Sequence, residues 1–146
     1  MPNGRLKLRQ GLIENNLILY AREDRAGPKQ SGVILYGTRP GSDLKALLTG
    51  ALGTVVTVEK RREIYFVAVD GVGLDGVENI KVHLDTVEGL GTFVEIEAIE
   101  RDGSIGPERL RAQCERLMSR LGIRDRDLVA DSYSDLLLVK VQAAHG

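Results

Sequence analysis

Charged residues recur at every second position in three short segments of the chain. Residues 5–9 carry cations in this alternation, residues 81–85 carry mixed charge, and residues 94–98 carry carboxylates. Because successive side chains of a β-strand point to opposite faces, each segment has one ionic and one apolar face if it forms a strand. Like charges two residues apart are about 6.7 Å from each other. They repel weakly in open water and more strongly in an enclosed space, so an enclosed ionic face needs a ligand of opposite sign.

Ionic faces of both signs could together hold a polyphosphate and a divalent metal. Arg and Lys neutralise phosphate oxygens, and carboxylates supply the oxygen ligands that Mg²⁺ and Mn²⁺ prefer. Glu95 and Glu97 would share a strand face and could reach one metal or two adjacent metals. If the ionic faces converge, they bring together Arg5, Lys7, Arg9, Arg22, Lys60, Arg62, Asp85, Glu95 and Glu97. The alternative is an amphipathic sheet with a solvated ionic face, weak cross-strand ion pairs and helices on the apolar side.

The composition excludes several classes of protein. The 146 residues suffice for one domain with its own core. A net charge of −1, with 4% aromatic residues and no Trp, argues against a general nucleic-acid-binding protein. A single cysteine allows no intramolecular disulfide, and neither an apolar signal region nor a membrane-spanning run is evident. We therefore expect a cytoplasmic protein without a nucleic-acid or membrane partner.

The elements that position the charged residues follow from periodicity and turn signals. Strands are predicted at residues 5–9, 17–22, 32–36, 55–62, 64–69, 79–85, 92–100 and 136–141. Helices are predicted from an N-cap at Ser42 to a stop at Gly53 and from Pro107 to Leu121, with a short helical turn at 124–130. Short connections favour antiparallel pairing. The predicted fold is α+β: a curled antiparallel sheet or an incomplete eight-stranded tunnel barrel with two or three helices.

Six segments, in order along nearly the whole chain, resemble motifs of the CYTH domain. They are NGRLKLR (3–9), LILYAR (17–22), GPKQS (27–31), VEKRR (58–62) with Tyr65, HLDTVEGLGTFVEIE (83–97) and DSYSDLL (131–137). The fifth segment is the most specific. This family includes class IV adenylyl cyclase-like proteins and thiamine triphosphatases, and is also called the triphosphate tunnel metalloenzymes. The resemblance implies one domain over 1–146 and an antiparallel tunnel that binds a triphosphate together with Mg²⁺ or Mn²⁺.

The resemblance also implies roles for individual residues. The basic residues that match positions facing or near phosphate are Arg5, Lys7, Arg9, Arg22, Lys29, Lys60 and Arg62. The acids that match metal-binding positions are Asp85, Glu95 and Glu97. No catalytic residue is assigned.

The implied function is metal-dependent phosphoryl transfer on ATP, a triphosphate or a phosphoester. The protein would act as a class IV adenylyl cyclase-like enzyme or as a triphosphatase or phosphoester hydrolase. The alternative is a non-catalytic nucleotide- or polyphosphate-binding domain. A third possibility is a remnant of the domain without activity.

The sequence departs from the family pattern at its start. The family opens with a Glu-x-Glu-x-Lys strand well before the Arg-Leu-Lys-Leu-Arg strand, and this sequence has no such segment. We therefore expect a truncated domain that lacks two metal-binding acids and one basic residue. Exposed sheet edges tend to be covered or paired, so we expect a homodimer formed by strand exchange or edge pairing.

Three further side chains could have a structural or a functional role. Cys114 lies on the apolar stripe of the second predicted helix, which favours a core thiol over a nucleophile. His83 alternates with Lys81 and Asp85, so it is either a general base or ligand, or an ordinary exposed strand histidine. Tyr133 is interpreted as a packing residue rather than an acid.

Overall fold

The computed structural model describes residues 4–22, 31–67, 79–100 and 103–145. The loop predicted at 25–29, with Lys29, and the Gly-rich stretch at 70–78 lie outside the described residues, as does the side chain of Arg22. The described residues divide into two compact units. Residues 4–22 and 31–55 belong to the first unit, and residues 56–67, 79–100 and 103–145 to the second.

The first unit begins with an antiparallel sheet. Its strands are β1 (Arg5–Gln10), β2 (Asn15–Arg22) and β3 (Ser31–Gly37), in the order β1-β2-β3. In the turn between β1 and β2, the side chain of Asn15 accepts a hydrogen bond from the Gly11 N–H and donates one to the Gly11 carbonyl. This side-chain pairing closes the hairpin formed by the first two strands.

Helix α1 (Leu44–Leu52) follows the sheet in the first unit. The first intrahelical bond runs from the Leu47 N–H to the Asp43 carbonyl, so Asp43 is the N-cap and the prediction of Ser42 was one residue early. Gly53 ends the helix as predicted. Its φ of 74° is in the left-handed region, and its N–H donates to the Thr49 carbonyl.

The second unit contains another antiparallel sheet. Its strands are β4 (Lys60–Val67), β5 (Ile80–Val87) and β6 (Gly91–Ala98), with β5 in the centre. The prediction of separate strands at 55–62 and 64–69 was wrong. Residues 60–67 form one continuous strand, because each of them pairs with a residue of β5, from Lys60 opposite Val87 to Val67 opposite Ile80.

Helix α2 (Pro107–Arg120) covers one face of this second sheet, and Pro107 is its first residue, as predicted. The core on this face consists of Ile80, Val82 and Leu117, with Val67, Ile96 and Ala98 packed against them. Since Ile80 and Val82 face α2, the alternating positions His83 and Asp85 face the opposite side. The alternation therefore separates an apolar face under α2 from an ionic face.

Cys114 lies on α2 and is half-buried rather than fully enclosed. Burial raises the pKa of its thiol. The thiol is therefore protonated at neutral pH, which agrees with a structural role rather than a nucleophilic one.

The last helix replaces a predicted strand. Residues 136–141 were predicted to be extended, but they lie within α3 (Tyr133–Ala144). Ser132 caps this helix: its hydroxyl accepts from the Asp135 N–H at 3.2 Å, and the Asp135 carboxylate accepts from the Ser132 N–H at 3.3 Å. Short apolar runs do not distinguish strand from helix by themselves, and this reciprocal cap is the local signal for a helix.

The predicted fold class is confirmed as α+β with antiparallel strands. The described residues form six strands in two three-stranded sheets, where the sequence predicted eight strands in one curled sheet or barrel. Three α-helices and a 3₁₀ turn at Asp125–Asp127 accompany them. The short turn at 124–130 is confirmed, whereas α3 was not among the predicted helices. Among the described helices, none is long and apolar enough to cross a membrane.

Candidate functional site

The ionic face of the second sheet is organised around a buried carboxylate, Asp85. The strand register places Asp85 opposite Arg62 in β4 and opposite Phe93 in β6. Its side chain has 0% of its surface exposed. Arg62 Nε donates to Oδ1 at 2.6 Å, and Arg62 Nη2 donates to Oδ2 at 2.6 Å. This bidentate geometry is the strongest arrangement available to an arginine and a carboxylate.

Two more donors complete the shell around Asp85. Lys60 Nζ donates to Oδ2 at 3.2 Å, and the Tyr133 hydroxyl donates to the same oxygen at 2.9 Å. Burial raises the pKa of Asp85, but the Arg62 hydrogen bonds, the Lys60 charge and the Tyr133 hydrogen bond lower it. The net pKa lies below the ordinary value, so Asp85 is ionised at neutral pH. Four donors offset the cost of burying its charge.

Lys60 differs from a surface lysine in its surroundings. Burial and the neighbouring Arg62 charge lower the pKa of its ammonium group, and the carboxylates of Asp85 and Glu95 only partly restore it. An ammonium group in these surroundings is stabilised by additional negative charge. The environment of Lys60 therefore favours an anionic ligand.

Tyr133 links the start of α3 to the ionic face. Its ring centroid lies 4.9 Å from that of Phe93, and Lys60 Nζ lies 5.1 Å from the Tyr133 centroid. Burial and the bond to Asp85 raise the pKa of the Tyr133 hydroxyl, so it stays protonated and acts as a donor. The prediction of a packing residue was therefore incomplete. The sequence signal for this contact is the Ser132–Asp135 cap, which places Tyr133 at a helix start.

Arg62 also connects Asp85 to a second carboxylate. Its Nη2 donates to Glu95 Oε2 at 2.5 Å. Burial raises the pKa of Glu95, but the His83 imidazole and the Arg62 guanidinium lower it, and the net shift is downward. Burial lowers the pKa of Arg62, while the two carboxylates raise it above its already high value. All three groups are therefore charged, and Glu95 keeps 46% of its side chain exposed.

His83 is buried between the two carboxylates of β6, so the alternative of an exposed strand histidine was wrong. Its Nδ1 lies 3.6 Å from Glu95 Oε2, and its Nε2 lies 3.7 Å from Glu97 Oε2. Both distances exceed that of a hydrogen bond, and Nδ1 has no hydrogen-bond partner in the described part of the chain. The imidazole therefore separates Glu95 from Glu97 on the ionic face.

The predicted basic residues divide between the two units. Lys60 and Arg62 meet at Asp85 in the second unit. In the first unit, Arg5, Lys7 and Arg9 lie on one face of β1, where Lys7 is opposite Ile18 and Arg9 is opposite Asn16. Arg5 and Lys7 are exposed, and Arg9 forms an ion pair with Glu14. Arg22 belongs to β2, where it is paired with Ser31.

The acidic residues fit a divalent metal unequally. Within the described ranges, no group of three or more His, Cys, Asp or Glu side chains is arranged to hold a metal ion. Mg²⁺, however, is usually held by one or two carboxylates together with substrate phosphates and water. Glu95 and Glu97 suit that mode, because their side chains are 46% and 51% exposed on one strand face. Asp85 suits it less, since both of its oxygens already accept hydrogen bonds.

The fold and site define an antiparallel α+β protein in which cations and carboxylates share one sheet face. The chain belongs to the CYTH domain family, whose model matches residues 4–133. Proteins of this family generally bind phosphorylated substrates and depend on metal. No match to a curated protein was found.

Solved structures of proteins from two Pyrococcus species share the fold. The PH1819 protein from Pyrococcus horikoshii OT3 is 26% identical, with a TM-score of 0.63 over 94% of this chain and 73% of its own. A conserved hypothetical protein from Pyrococcus furiosus is 21% identical, with a TM-score of 0.59 over 91% of this chain and 73% of its own. The PH1012 protein from Pyrococcus horikoshii OT3 is 18% identical, with a TM-score of 0.61 over 92% and 79%.

Proposed function

We propose that this protein is a metal-dependent phosphoryl-transfer enzyme acting on a phosphorylated small molecule. The single observation that carries this proposal is the cluster around Asp85, where two cations and a second carboxylate, Glu95, meet on one sheet face. Membership of the CYTH domain family supports it. The reaction would be that of a class IV adenylyl cyclase-like enzyme, or that of a triphosphatase or phosphoester hydrolase.

Lys60 and Arg62 are the proposed phosphate-binding groups of the second unit. Asp85 holds the Arg62 guanidinium through Nε and Nη2, and Glu95 accepts from Nη2, so Nη1 has no acceptor among the described residues and can donate to an anion. Lys60 donates one hydrogen bond to Asp85 and has further N–H groups for an anion. Positioned cations of this kind stabilise the charge that develops on phosphoryl oxygens. From the family resemblance alone, we also propose phosphate contacts by Arg5, Lys7, Arg9, Arg22 and Lys29.

Glu95 and Glu97 are the proposed ligands of Mg²⁺ or Mn²⁺. A bound divalent ion would neutralise phosphate oxygens and help to orient the substrate. Asp85 matches a metal-binding position of the family, and its ligation of metal stays a prediction. Its contacts here support a different contribution, which is to fix the orientation of Arg62 and the position of Lys60.

The experiment is to incubate the purified chain with ATP, tripolyphosphate or a simple phosphoester, with Mg²⁺, Mn²⁺ or EDTA. Phosphorus NMR distinguishes a cyclase, which releases pyrophosphate, from a triphosphatase, which releases orthophosphate. Glu97→Gln should raise the Mn²⁺ concentration needed for half-maximal activity. Glu63→Gln, on the opposite face of the same sheet, is the matched control. Absence of turnover on all three substrates with metal present would overturn the enzymatic proposal.

A non-catalytic binding domain is the second candidate. It is favoured by the saturation of Asp85 with hydrogen bonds and by the lack of a three-ligand metal group in the described residues. It predicts that tripolyphosphate raises the melting temperature without being consumed. Product formation above the EDTA blank would reject it.

We further propose that the chain acts as a cytoplasmic homodimer. Among the described strands, β1 and β3 are the outer strands of one sheet, and β4 and β6 of the other. Outer strands present backbone groups that can pair with another chain. Light scattering at micromolar concentration tests the dimer, and a monomeric mass would contradict it.

A further inference from the structure

An aromatic ring lies on the same ionic face as the Asp85 cluster, further along β4. Phe66 is opposite Lys81 in β5, and Lys81 is opposite Glu97 in β6. Phe66 keeps 54% of its surface exposed. Lys81 Nζ lies 5.7 Å from the ring centroid, which places a cation next to the ring. The ring therefore offers an apolar surface beside a positive charge.

The strand geometry sets the separation between this ring and the phosphate-binding cations. Arg62 and Phe66 are four residues apart on β4, so their side chains share a face and their Cα atoms are about 13 Å apart. Ile64 lies between them on that face, next to the buried His83 of β5. On this face of β4, the side chains form a row. It consists of the cations Lys60 and Arg62, then the apolar Ile64, and then the aromatic Phe66. A nucleoside polyphosphate likewise carries its charge at one end and its aromatic ring at the other, with the sugar between them.

We propose that Phe66 and Lys81 are specificity-determining residues: they contact the ring of a ring-bearing phosphate ligand and so favour it over inorganic polyphosphate. Inorganic polyphosphate would fill only the cation end of the row. The proposal rests on the proposed phosphate-binding role of Lys60 and Arg62. The exposed ring supplies a stacking surface, because every base has a π-face that can lie on an aromatic side chain. Lys81 supplies a donor for the ring nitrogens or exocyclic oxygens of the base.

The first test compares two ligands on the same variant. Dissociation constants for a non-hydrolysable ATP analogue and for tripolyphosphate are measured by calorimetry in the presence of Mg²⁺. Phe66→Ala should weaken binding of the ATP analogue about tenfold, as expected for loss of one stacked base. It should leave tripolyphosphate binding unchanged, and that unchanged affinity also shows that the variant is folded. Tyr65→Ala is the matched control, since Tyr65 is the neighbouring exposed aromatic residue on the opposite sheet face.

The second test uses the absence of tryptophan from the chain. Phe66→Trp introduces a single fluorophore that keeps an aromatic surface, so binding of the ATP analogue should be retained. The analogue should quench this fluorescence, whereas tripolyphosphate should not. Tyr65→Trp places the fluorophore on the other face, where the analogue should leave its fluorescence unchanged.

The outcomes separate this inference from the proposed function. If the wild-type chain binds both ligands but Phe66→Ala weakens neither, or weakens both equally, the ring-binding role of Phe66 is overturned and the phosphate site stands. If the wild-type chain binds neither ligand, the proposed function is overturned and the inference with it. Weakening of the ATP analogue alone, together with quenching at position 66 alone, would support the inference.

Discussion

Arg62 and Asp85 are joined across neighbouring strands by two hydrogen bonds of 2.6 Å, and the carboxylate is completely enclosed. Removing one member of a buried ion pair costs about 3–5 kcal/mol, and the loss here should lie near the lower limit because Lys60 and Tyr133 still donate to Asp85. We therefore expect Arg62→Met to lower the free energy of unfolding by about this amount. Urea denaturation followed by circular dichroism measures it.

The double variant Arg62→Met/Asp85→Leu tests whether the two groups stabilise the fold as a pair. Because each single variant already breaks the Arg62–Asp85 pair, the loss of stability in the double variant should be smaller than the sum of the two single losses. Arg61→Met is the control, because the Arg61 side chain is 83% exposed and its variant should unfold at the wild-type urea concentration. Additive losses in the double variant would show that the two groups do not act as a pair.

The stability of the chain should fall on acidification because of Asp85. The folded pKa of Asp85 lies below its ordinary value. Its contribution is therefore complete above the unfolded pKa of about 3.9 and is lost as the pH falls through the folded pKa. The urea midpoint should decrease between about pH 5 and about pH 3. Asp85→Asn should show a shallower decrease, and an identical slope in both proteins would contradict this assignment.

The charge alternation predicted which side chains of the second sheet share its ionic face. Five of the nine residues expected to converge lie on one face by the strand register: Lys60, Arg62, Asp85, Glu95 and Glu97. This follows because the side-chain period of a strand is two, so the face of each residue is known once the strand is known. The other four, Arg5, Lys7, Arg9 and Arg22, belong to the other sheet, which the alternation did not predict.

Burial and long-range contacts could not be predicted in the same way. The bond between Asp85 and Tyr133 spans 48 residues and depends on where α3 begins. The apolar run at 136–141 is compatible with strand or helix, and its misassignment concealed the role of Tyr133. The enclosure of His83 between two carboxylates likewise depends on the neighbouring strand β6, and no local pattern reports it.

Tyr133→Phe should isolate the contribution of the hydroxyl group at the buried carboxylate. The variant keeps the ring that contacts Phe93 and Lys60 but removes one donor to Asp85. Because hydrogen bonds to charged groups contribute about 1.5–3 kcal/mol, we expect a loss of about that size in the free energy of unfolding. Tyr65→Phe is the matched control, since its hydroxyl bonds the exposed Glu63 and its removal should leave the urea midpoint unchanged. Equal effects of the two substitutions would contradict a special role for the Tyr133 hydroxyl.

A buried amide pair should anchor α2 to the second sheet. Asn79 Nδ2 donates to Gln113 Oε1 at 2.7 Å, and both residues are buried. Gln113→Leu removes the acceptor and leaves the Asn79 amide without this partner in an enclosed site, at a cost of about 1–3 kcal/mol.

The half-buried Cys114 on the same helix provides a second measurement for this variant. If α2 is held less firmly, Cys114 should react faster with iodoacetamide in Gln113→Leu than in the wild type, because local opening exposes the thiol. Gln142→Leu, at an exposed position of α3, should change neither the urea midpoint nor the alkylation rate. An unchanged alkylation rate in Gln113→Leu would show that the apolar contacts of Leu117 with Ile80 and Val82 hold the helix without the amide pair.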